Sequence, residues 1–453
     1  VAGFFTGFAQ GFQGKKKQSP IRGLTMNRVQ QTSLFQFILH ELKPKGKILT
    51  PFNIFSFLTI LTAAVILYIR FSSGLGSVVH AAQDRPWGLW INFNVITGVA
   101  FAGGAFVVTF MVYILGLEKY RPIVRATILY ALLAYVFYAG ALLLDLGRPW
   151  KVINPIIGNS FGISSVLFLV AWHFILYMGS LFIEFSPTLS EWAFLKRQRR
   201  FFASLTLAVV ILGIALSTLH QSGLGALFLM ARAKIHPLWY SEFIPVLFFL
   251  SSIFAGLSLV IVLETAGQRV FRSRMSFLHR SSHRTIMLSL ARICAISMFV
   301  YLSMAILDVV HGKKLAYLNT AWGYWYLVEI LGFVLLPCLF FLYGYRRRNL
   351  YVVRFAAIAA MLGIILNRLN ISTIAFNWYE GSIPFPTWME IVVSMAVIFV
   401  QLLVFRWVVR RMPVYTASPE WVNEEKQDQR FIIEEKSYNL FNTRRKKWKA
   451  STE

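Results

Sequence analysis

Cysteine is nearly missing from this chain. Its 453 residues include two, Cys294 and Cys338, each inside an apolar run with no second cysteine nearby. That excludes a self-made iron–sulfur cluster, a zinc site of ordinary spacing and a disulfide framework. Acidic residues are scarce as well: 19 Asp and Glu stand against 45 Lys and Arg, a net charge of +26. All charged residues together reach only 14%, whereas 57% are hydrophobic and the mean hydropathy is +0.61. A soluble domain of this length needs more polar surface than that.

Long apolar runs are what the sequence has instead. A bilayer core takes about 20 apolar residues per helix. Ten runs qualify, at 52–71, 88–116, 124–145, 164–184, 201–222, 243–266, 285–309, 322–345, 352–375 and 385–410. The basic residues fall in short clusters between them. Segments 1–50, 117–125, 185–200, 267–284, 346–354 and 406–453 hold 8, 3, 4, 5, 4 and 11 Lys and Arg, against 7 in the intervening loops. The bias alternates at every loop, which predicts ten spans with both termini cytoplasmic. Clustering of this kind is a membrane signature, so no nucleic acid is expected as partner despite the high charge. The fold class is thus all-α integral membrane, multi-pass, in a bacterial inner membrane. Residues 1–50 form a basic cytoplasmic segment, 51–411 the ten-helix membrane domain and 412–453 a charged cytoplasmic tail. Phe4, Phe5, Phe8 and Phe12 share one helical face ahead of Lys15-Lys16-Lys17, which reads either as an interfacial helix or as an unstructured tail. The cationic end Arg444-Arg445-Lys446-Lys447 suits anionic membrane lipid.

The outside loops carry four Pro/Trp turns: Pro86-Trp87-Gly88-Leu89-Trp90, Gly147-Arg148-Pro149-Trp150, His236-Pro237-Leu238-Trp239 and Phe385-Pro386-Thr387-Trp388. Each Trp reads as an interfacial anchor or as part of a rigid rim that docks a partner or shapes a pocket.

Ionisable groups inside a membrane are costly and mark function by default. Asp145 and Arg148 end the third span on the outer side, His220 and Gln221 the fifth, and Asn92 and Asn94 lie near the outer end of the second. Asp308, Glu329, Arg368 and Glu390 fall in the outer third of the last four spans, and His173 near the middle of the fourth. A quinone headgroup needs hydrogen-bond donors, a proton source and an apolar slot at that depth. His220 with Asp145, oriented by Asn94 and Gln221, meets the need, and Arg148 would hold Asp145 ionised. The bland alternative is an Asp145–Arg148 ion pair with His220 at the membrane edge. His173, Asp308, Glu329, Arg368 and Glu390 are candidates for a proton path or for structural ion pairs. A transmembrane haem requires two His on facing helices at matched depth. Of eight His only His173 reads as deep, with His220 nearly half a bilayer away, so neither haem nor metal is expected.

The motifs together resemble the NrfD/PsrC family of quinone-reactive membrane subunits, and most of all its ten-helix branch in periplasmic nickel–iron hydrogenases. The resemblance rests on Pro86-Trp87-Gly88-Leu89-Trp90-Ile91 with Phe93-Asn94, Ala102-Gly103-Gly104, Tyr120-Arg121-Pro122-Ile123-Val124-Arg125 and Asp145-Leu146-Gly147-Arg148. It continues through Thr218-Leu219-His220-Gln221-Ser222, His236-Pro237-Leu238-Trp239, Glu329, Arg368-Leu369, Ala375-Phe376-Asn377 and Phe385-Pro386-Thr387-Trp388 with Glu390. It implies two four-helix bundles, spans 2–5 and 6–9, flanked by spans 1 and 10. It also implies a quinone (menaquinone or ubiquinone) as substrate near the outer face, no haem, and a periplasmic ferredoxin-like iron–sulfur subunit that carries the electrons. The catalytic partner would be hydrogenase-like or a multihaem cytochrome c. Two departures stand out: Asn94 occupies a position where the hydrogenase branch has an acid, and both terminal segments are long. Outside this family, a secondary transporter or a haemless structural anchor would also use ten helices. Transporters, however, break helices near the midplane, and here Pro337 is the main interior proline.

Overall fold

The computed structural model describes residues 40–45, 48–80, 88–157, 164–380, 385–419 and 421–422. The aromatic segment 1–14, the Pro86-Trp87 end of the first turn and the tail beyond Val422 lie outside the described residues. The chain divides into two units, 1–49 and 50–453. In the first, a helical turn at His40–Leu42 sets the Glu41 carboxylate against Lys45.

The second unit holds, among its described residues, ten helices long and apolar enough to cross a membrane. They are α1 (Pro51–Ser73), α2 (Trp90–Ile114), α3 (Glu118–Asp145), α4 (Val166–Trp192), α5 (Lys196–Ala231), α6 (Ile244–Val270), α7 (Phe277–His311), α8 (Ala321–Arg346), α9 (Leu350–Ile374) and α10 (Trp388–Val409). Among the described residues there is no sheet, only one isolated antiparallel bridge between Ile235 and Phe376. It ties the α5–α6 loop to the α9–α10 loop.

Local chemistry sets the helix ends. Thr50 Oγ1 accepts the amide of Asn53 ahead of Pro51, whose fixed φ suits a first turn. Asn349 Oδ1 accepts the amides of Tyr351 and Val352. Thr387 and Glu390 form a reciprocal capping box at α10. Gly74, at φ +93°, stops α1 in a conformation that only glycine adopts freely. Helices α5 and α7 are longer than their apolar runs predicted. Their basic N-terminal turns, 196–200 and 279–284, continue the helix, and α5 also runs on past its predicted end through the apolar stretch 223–231.

α2 is the central helix: 89% of its membrane window is buried, against 17% for α1. α2 packs on α3, α5, α6, α9 and α10, and α4 pairs along its length with α5. α6 packs on α5, α7 and α9, α8 lies between α7 and α9, and α1 rests on α10. α1 therefore needs only a narrow inward stripe, Ser56, Ala63, Ile66 and Arg70, at three- to seven-residue spacing.

The crossing of α2 and α6 is backbone on backbone. A Cβ on Gly256 would sit 1.9 Å from the Gly104 nitrogen, and one on Gly103 would sit 2.6 Å from the Ser252 carbonyl oxygen. Side chains would hold the helices apart, so the Gly103-Gly104 pair acts as a packing element. Four stretches widen into π-helix: Trp90–Thr97 and Phe110–Ile114 in α2, Val328–Leu335 in α8 and Asn370–Ile374 in α9. The α8 stretch immediately precedes Pro337, whose missing N–H and bulky ring an ordinary helical turn could not absorb. Three of the four carry polar residues: Asn92 and Asn94, Glu329, and Asn370 with Ser372 and Thr373. Such wide turns recur at functional sites.

Candidate functional site

His220 lies inside the helix packing, 1% exposed, not at a membrane edge. α5 continues past it to Ala231. Its Nδ1 is 3.2 Å from the Val170 carbonyl oxygen on α4, and the rings of Tyr135 and Phe174 pack 5.6 and 5.5 Å away. A carbonyl can only accept, so Nδ1 carries the proton of the neutral ring. Nε2 is then a bare acceptor, buried and without a protein partner. The sequence reading had a neutral His220 donating to a quinone; in this geometry the free nitrogen accepts unless the ring is protonated. Gln221, next in the chain, points elsewhere: its Nε2 donates to the Val99 carbonyl of α2 at 2.9 Å.

A polar column leads away from His220. Val170, Tyr177 and Glu184 repeat every seven residues on α4 and face Ser217 and Gly213 of α5. Tyr177 lies against Tyr135, with ring centroids 4.9 Å apart. A Cβ on Gly213 would stand 2.9 Å from Glu184 Oε1, so glycine makes room for the carboxylate. Tyr135 Oη, Tyr177 Oη, Ser217 Oγ and Glu184 Oε2 are all buried without a hydrogen-bond partner of good geometry among the described residues. Buried polar atoms at that density call for water or a ligand. Glu184 was not among the residues singled out in the sequence; the 170–177–184 repeat was the available signal.

Asp145 is not beside His220. It ends α3 ten residues beyond Tyr135, about 15 Å along the helix. Its neighbours are Glu390 and Gly88: a Cβ on Gly88 would lie 2.9 Å from Glu390 Oε1 and 3.7 Å from Asp145 Oδ1. Arg148 is exposed and forms no ion pair with Asp145 among the described residues, so neither the expected pair nor its effect on Asp145 is present. The cation here is Arg70 of α1, which donates from Nε to the Leu144 carbonyl at 2.8 Å and from a terminal nitrogen to the Leu146 carbonyl. It thereby neutralises the negative end of α3. Glu390 uses both carboxylate oxygens on backbone amides, Leu89 at 2.8 Å and Thr387 at 2.9 Å. Asn94 is buried on α2 with its Nδ2 3.4 Å from Ser394 Oγ of α10. The five residues expected at one headgroup are therefore not brought together at one point.

The remaining embedded charges do meet. Glu329 on the α8 π-turn accepts from Trp239 Nε1 at 2.7 Å, Asn367 Nδ2 at 2.6 Å and Asn370 Nδ2. Arg368 donates to Asn367 Oδ1 at 2.7 Å and Ser251 Oγ at 2.6 Å, and stacks 3.5 Å over the Phe248 ring. Asn367 thus separates the two charges, and no direct ion pair forms. Asp308 pairs with Lys314 at 2.6 Å and accepts from Ser241 at 2.6 Å. Asp308, Tyr301, Glu329 and Arg368 line a cavity of about 30 Å³, room for one or two waters. The Asn367-Arg368-Leu369-Asn370 run was a readable signal for the two amides. Nothing in the sequence singled out Trp239 as a donor to a carboxylate. His236, in the α5–α6 loop, is boxed by Trp239, Trp322 and Trp378, and burial pushes its pKa down to about 4.

His173 lies one helical turn from Val170 and therefore close to His220 in depth. This corrects the half-bilayer separation read from the sequence, which had ended the fifth span too early. Among the described residues no group of three or more His, Cys, Asp or Glu is placed to hold a metal ion.

Residues 77–376 match the family described as Polysulphide reductase, NrfD. This chain belongs to the NrfD family. A protein of Nitratidesulfovibrio vulgaris is 38% identical over 83% of this chain and 97% of its own length. The probable Ni/Fe-hydrogenase 2 b-type cytochrome subunit of Escherichia coli is 28% identical over 83% of this chain and 95% of its own. A selenate reductase subunit of Mesobacillus selenatarsenatis is 22% identical over 70% of this chain and 80% of its own. This NrfD protein is thus similar to membrane subunits of redox complexes. The matched stretch covers α2 to α9 and includes His220, Glu329 and Arg368.

Proposed function

We propose that this chain is the quinone-reactive membrane subunit of a respiratory oxidoreductase in a bacterial inner membrane. It exchanges electrons between a periplasmic ferredoxin-like iron–sulfur subunit and menaquinone or ubiquinone. The observation that carries the reading is the bare, buried Nε2 of His220, walled by Tyr135 and Phe174. In the neutral ring it takes the hydroxyl proton of a quinol; once protonated, it donates to a quinone carbonyl. The relatives' printed names support a catalytic partner of hydrogenase or other reductase type, and a multihaem cytochrome c would serve the same end. The two buried thiols of this chain cannot relay electrons, so the iron–sulfur partner supplies the wire.

The helix contacts support two four-helix bundles, α2–α5 and α6–α9, flanked by α1 and α10. With both termini cytoplasmic, the Asp145 and Asp308 ends face the periplasm. A reporter fused after residue 453 is then active only in the cytoplasm and one inserted in loop 232–243 only outside; the reverse pattern refutes the orientation.

Haem is not part of the reading. His173 and His220 share a depth, but Nδ1 of His220 is committed to Val170, and aromatic rings within 6 Å fill the space a porphyrin plate would need. The purified chain, free of partners, should show no Soret band; a stoichiometric b-type spectrum overturns this.

The column from His220 through Ser217 and Tyr177 to Glu184 descends about 10 Å toward the inner ends. We assign it proton transfer between the quinone and the cytoplasmic side, with His173 beside its upper end. Asp308, Glu329 and Arg368 form a second polar route in α6–α9, and Glu390 caps α10 beside Asp145. Glu329→Gln keeps the shape but puts an amide NH2 in place of one accepting oxygen, against the N–H donor that oxygen served, costing about 1–3 kcal/mol. The variant is expected to assemble and pass electrons but to lose the coupling of turnover to membrane potential, measured with a potential-sensitive dye in proteoliposomes. Intact coupling removes Glu329 from any proton route.

A further inference from the structure

The end of the helix array that carries the inside charge holds a groove unrelated to the quinone chemistry. Lys119 at the start of α3, Arg284 and Arg292 on α7, and Arg346 and Arg348 at the end of α8 line it, with Ser289 and Tyr345 among the uncharged residues. Its volume is about 650 Å³. No carboxylate is among its lining residues, and none of the five cations forms an ion pair with an acid among the described residues.

The cations are held rather than loose. Lys119 Nζ donates to Ser289 Oγ at 2.9 Å, and Tyr120 Oη shares that hydroxyl at 2.6 Å. Arg284 donates to the Arg348 carbonyl at 3.1 Å, and the Arg292 guanidinium lies 5.8 Å from the Tyr345 ring centre. Five like charges around one concavity repel one another unless an anion sits among them. Arg284 and Arg292 are eight residues apart, about 12 Å along α7, so the groove runs along the membrane normal at headgroup depth. A single phosphate would engage only one end of it.

We propose that this groove binds the headgroup of an anionic phospholipid carrying two phosphodiesters, a diphosphatidylglycerol-type lipid of the cytoplasmic leaflet. Arg284 and Arg348 grip one phosphate and Arg292 the other, and Leu288 lines the wall between them. Such a lipid would add a bridge between α3 and the α7–α8 pair to the hydrogen bonds that Lys119 makes to Ser289 and Arg284 to the Arg348 carbonyl.

The test uses the full-length chain in mild detergent, stripped of lipid and titrated with cardiolipin, phosphatidylglycerol, phosphatidylethanolamine or inorganic phosphate, with bound species counted by native mass spectrometry. Cardiolipin should bind at about one per chain, more tightly than the other three. Each cation near an anionic lipid contributes about fivefold in affinity, so Arg284→Gln, Arg292→Gln and Arg346→Gln together should weaken it on the order of a hundredfold. Lysine at the same three positions keeps the charge and most of the binding, which separates the effect from misfolding. Equal binding by the glutamine variant overturns the proposal. So does phosphatidylglycerol or phosphatidylethanolamine binding as tightly, or inorganic phosphate alone accounting for the occupancy.

Discussion

Gly256→Ala is expected to stop the folded chain accumulating in the membrane. The smallest possible side chain would enter a crossing where its Cβ meets the Gly104 nitrogen at 1.9 Å and the Gly104 Cα at 2.7 Å. No rotamer relieves a clash with backbone, so α2 and α6 must separate. α2 is the most buried of the ten helices and touches five others, so the displacement spreads to α3, α5, α9 and α10. Overpacking of a core commonly costs about 1–3 kcal/mol, and here flexible side chains cannot absorb it, so about 3 kcal/mol or more is expected. Gly140→Ala is the matched control. That glycine, on α3, has nothing within 4 Å of a new Cβ, and alanine favours the helix by about 0.5–1 kcal/mol. Yield and thermal melting of the two variants in detergent check the pair. A Gly256→Ala protein that melts like the wild type would show that the crossing is looser than described.

The Gly103-Gly104 motif was legible in the sequence as a family mark, but its partner Gly256 was not. Nothing local distinguishes a glycine that admits a neighbouring backbone from one that merely weakens a helix. The same ambiguity misplaced His220. The fifth span was read as ending at residue 222, whereas Gly223 and Gly225 just beyond it are contact positions inside the helix. A Cβ on Gly223 would lie 2.9 Å from Val170 Cγ2, and one on Gly225 2.8 Å from the Ile244 carbonyl. The helix runs on through both, and His220 moves from the membrane edge into the packed interior. Spans and charge alternation were readable because hydrocarbon thickness and the positive-inside rule act on whole segments. Depth along a span and facing between helices depend on which glycine lets which helix approach.

The same distinction holds among the polar residues. Sequence reading gathered Asp145, Arg148, His220, Gln221 and Asn94 into one site because all seemed to share a depth. Tertiary packing splits them, and the cation at Asp145 comes from Arg70 of α1, a residue the sequence did not single out. Asp308, Glu329 and Arg368 were grouped by the same depth argument and do share a cavity. The amides that connect them, Asn367 and Asn370, sit in one apolar helix and could have been read.

His220→Ala carries the other large expectation. It removes the ring nitrogen that is buried without a protein partner in a ring packed beside Tyr135 and Phe174, and with it the group proposed to exchange a proton with a quinone. General acid–base groups contribute about 10²–10⁴-fold, so turnover should fall at least about a hundredfold. In the proposed arrangement, electron flow that stops at a periplasmic partner does not use this residue. The most direct measurement is made on the assembled complex, comparing electron transfer from its natural donor to quinone with transfer to a soluble dye. The account predicts that His220→Ala loses the first and keeps the second, with all subunits still present. Quinone turnover that survives the substitution, or loss of both activities together with the partner subunit, would contradict it.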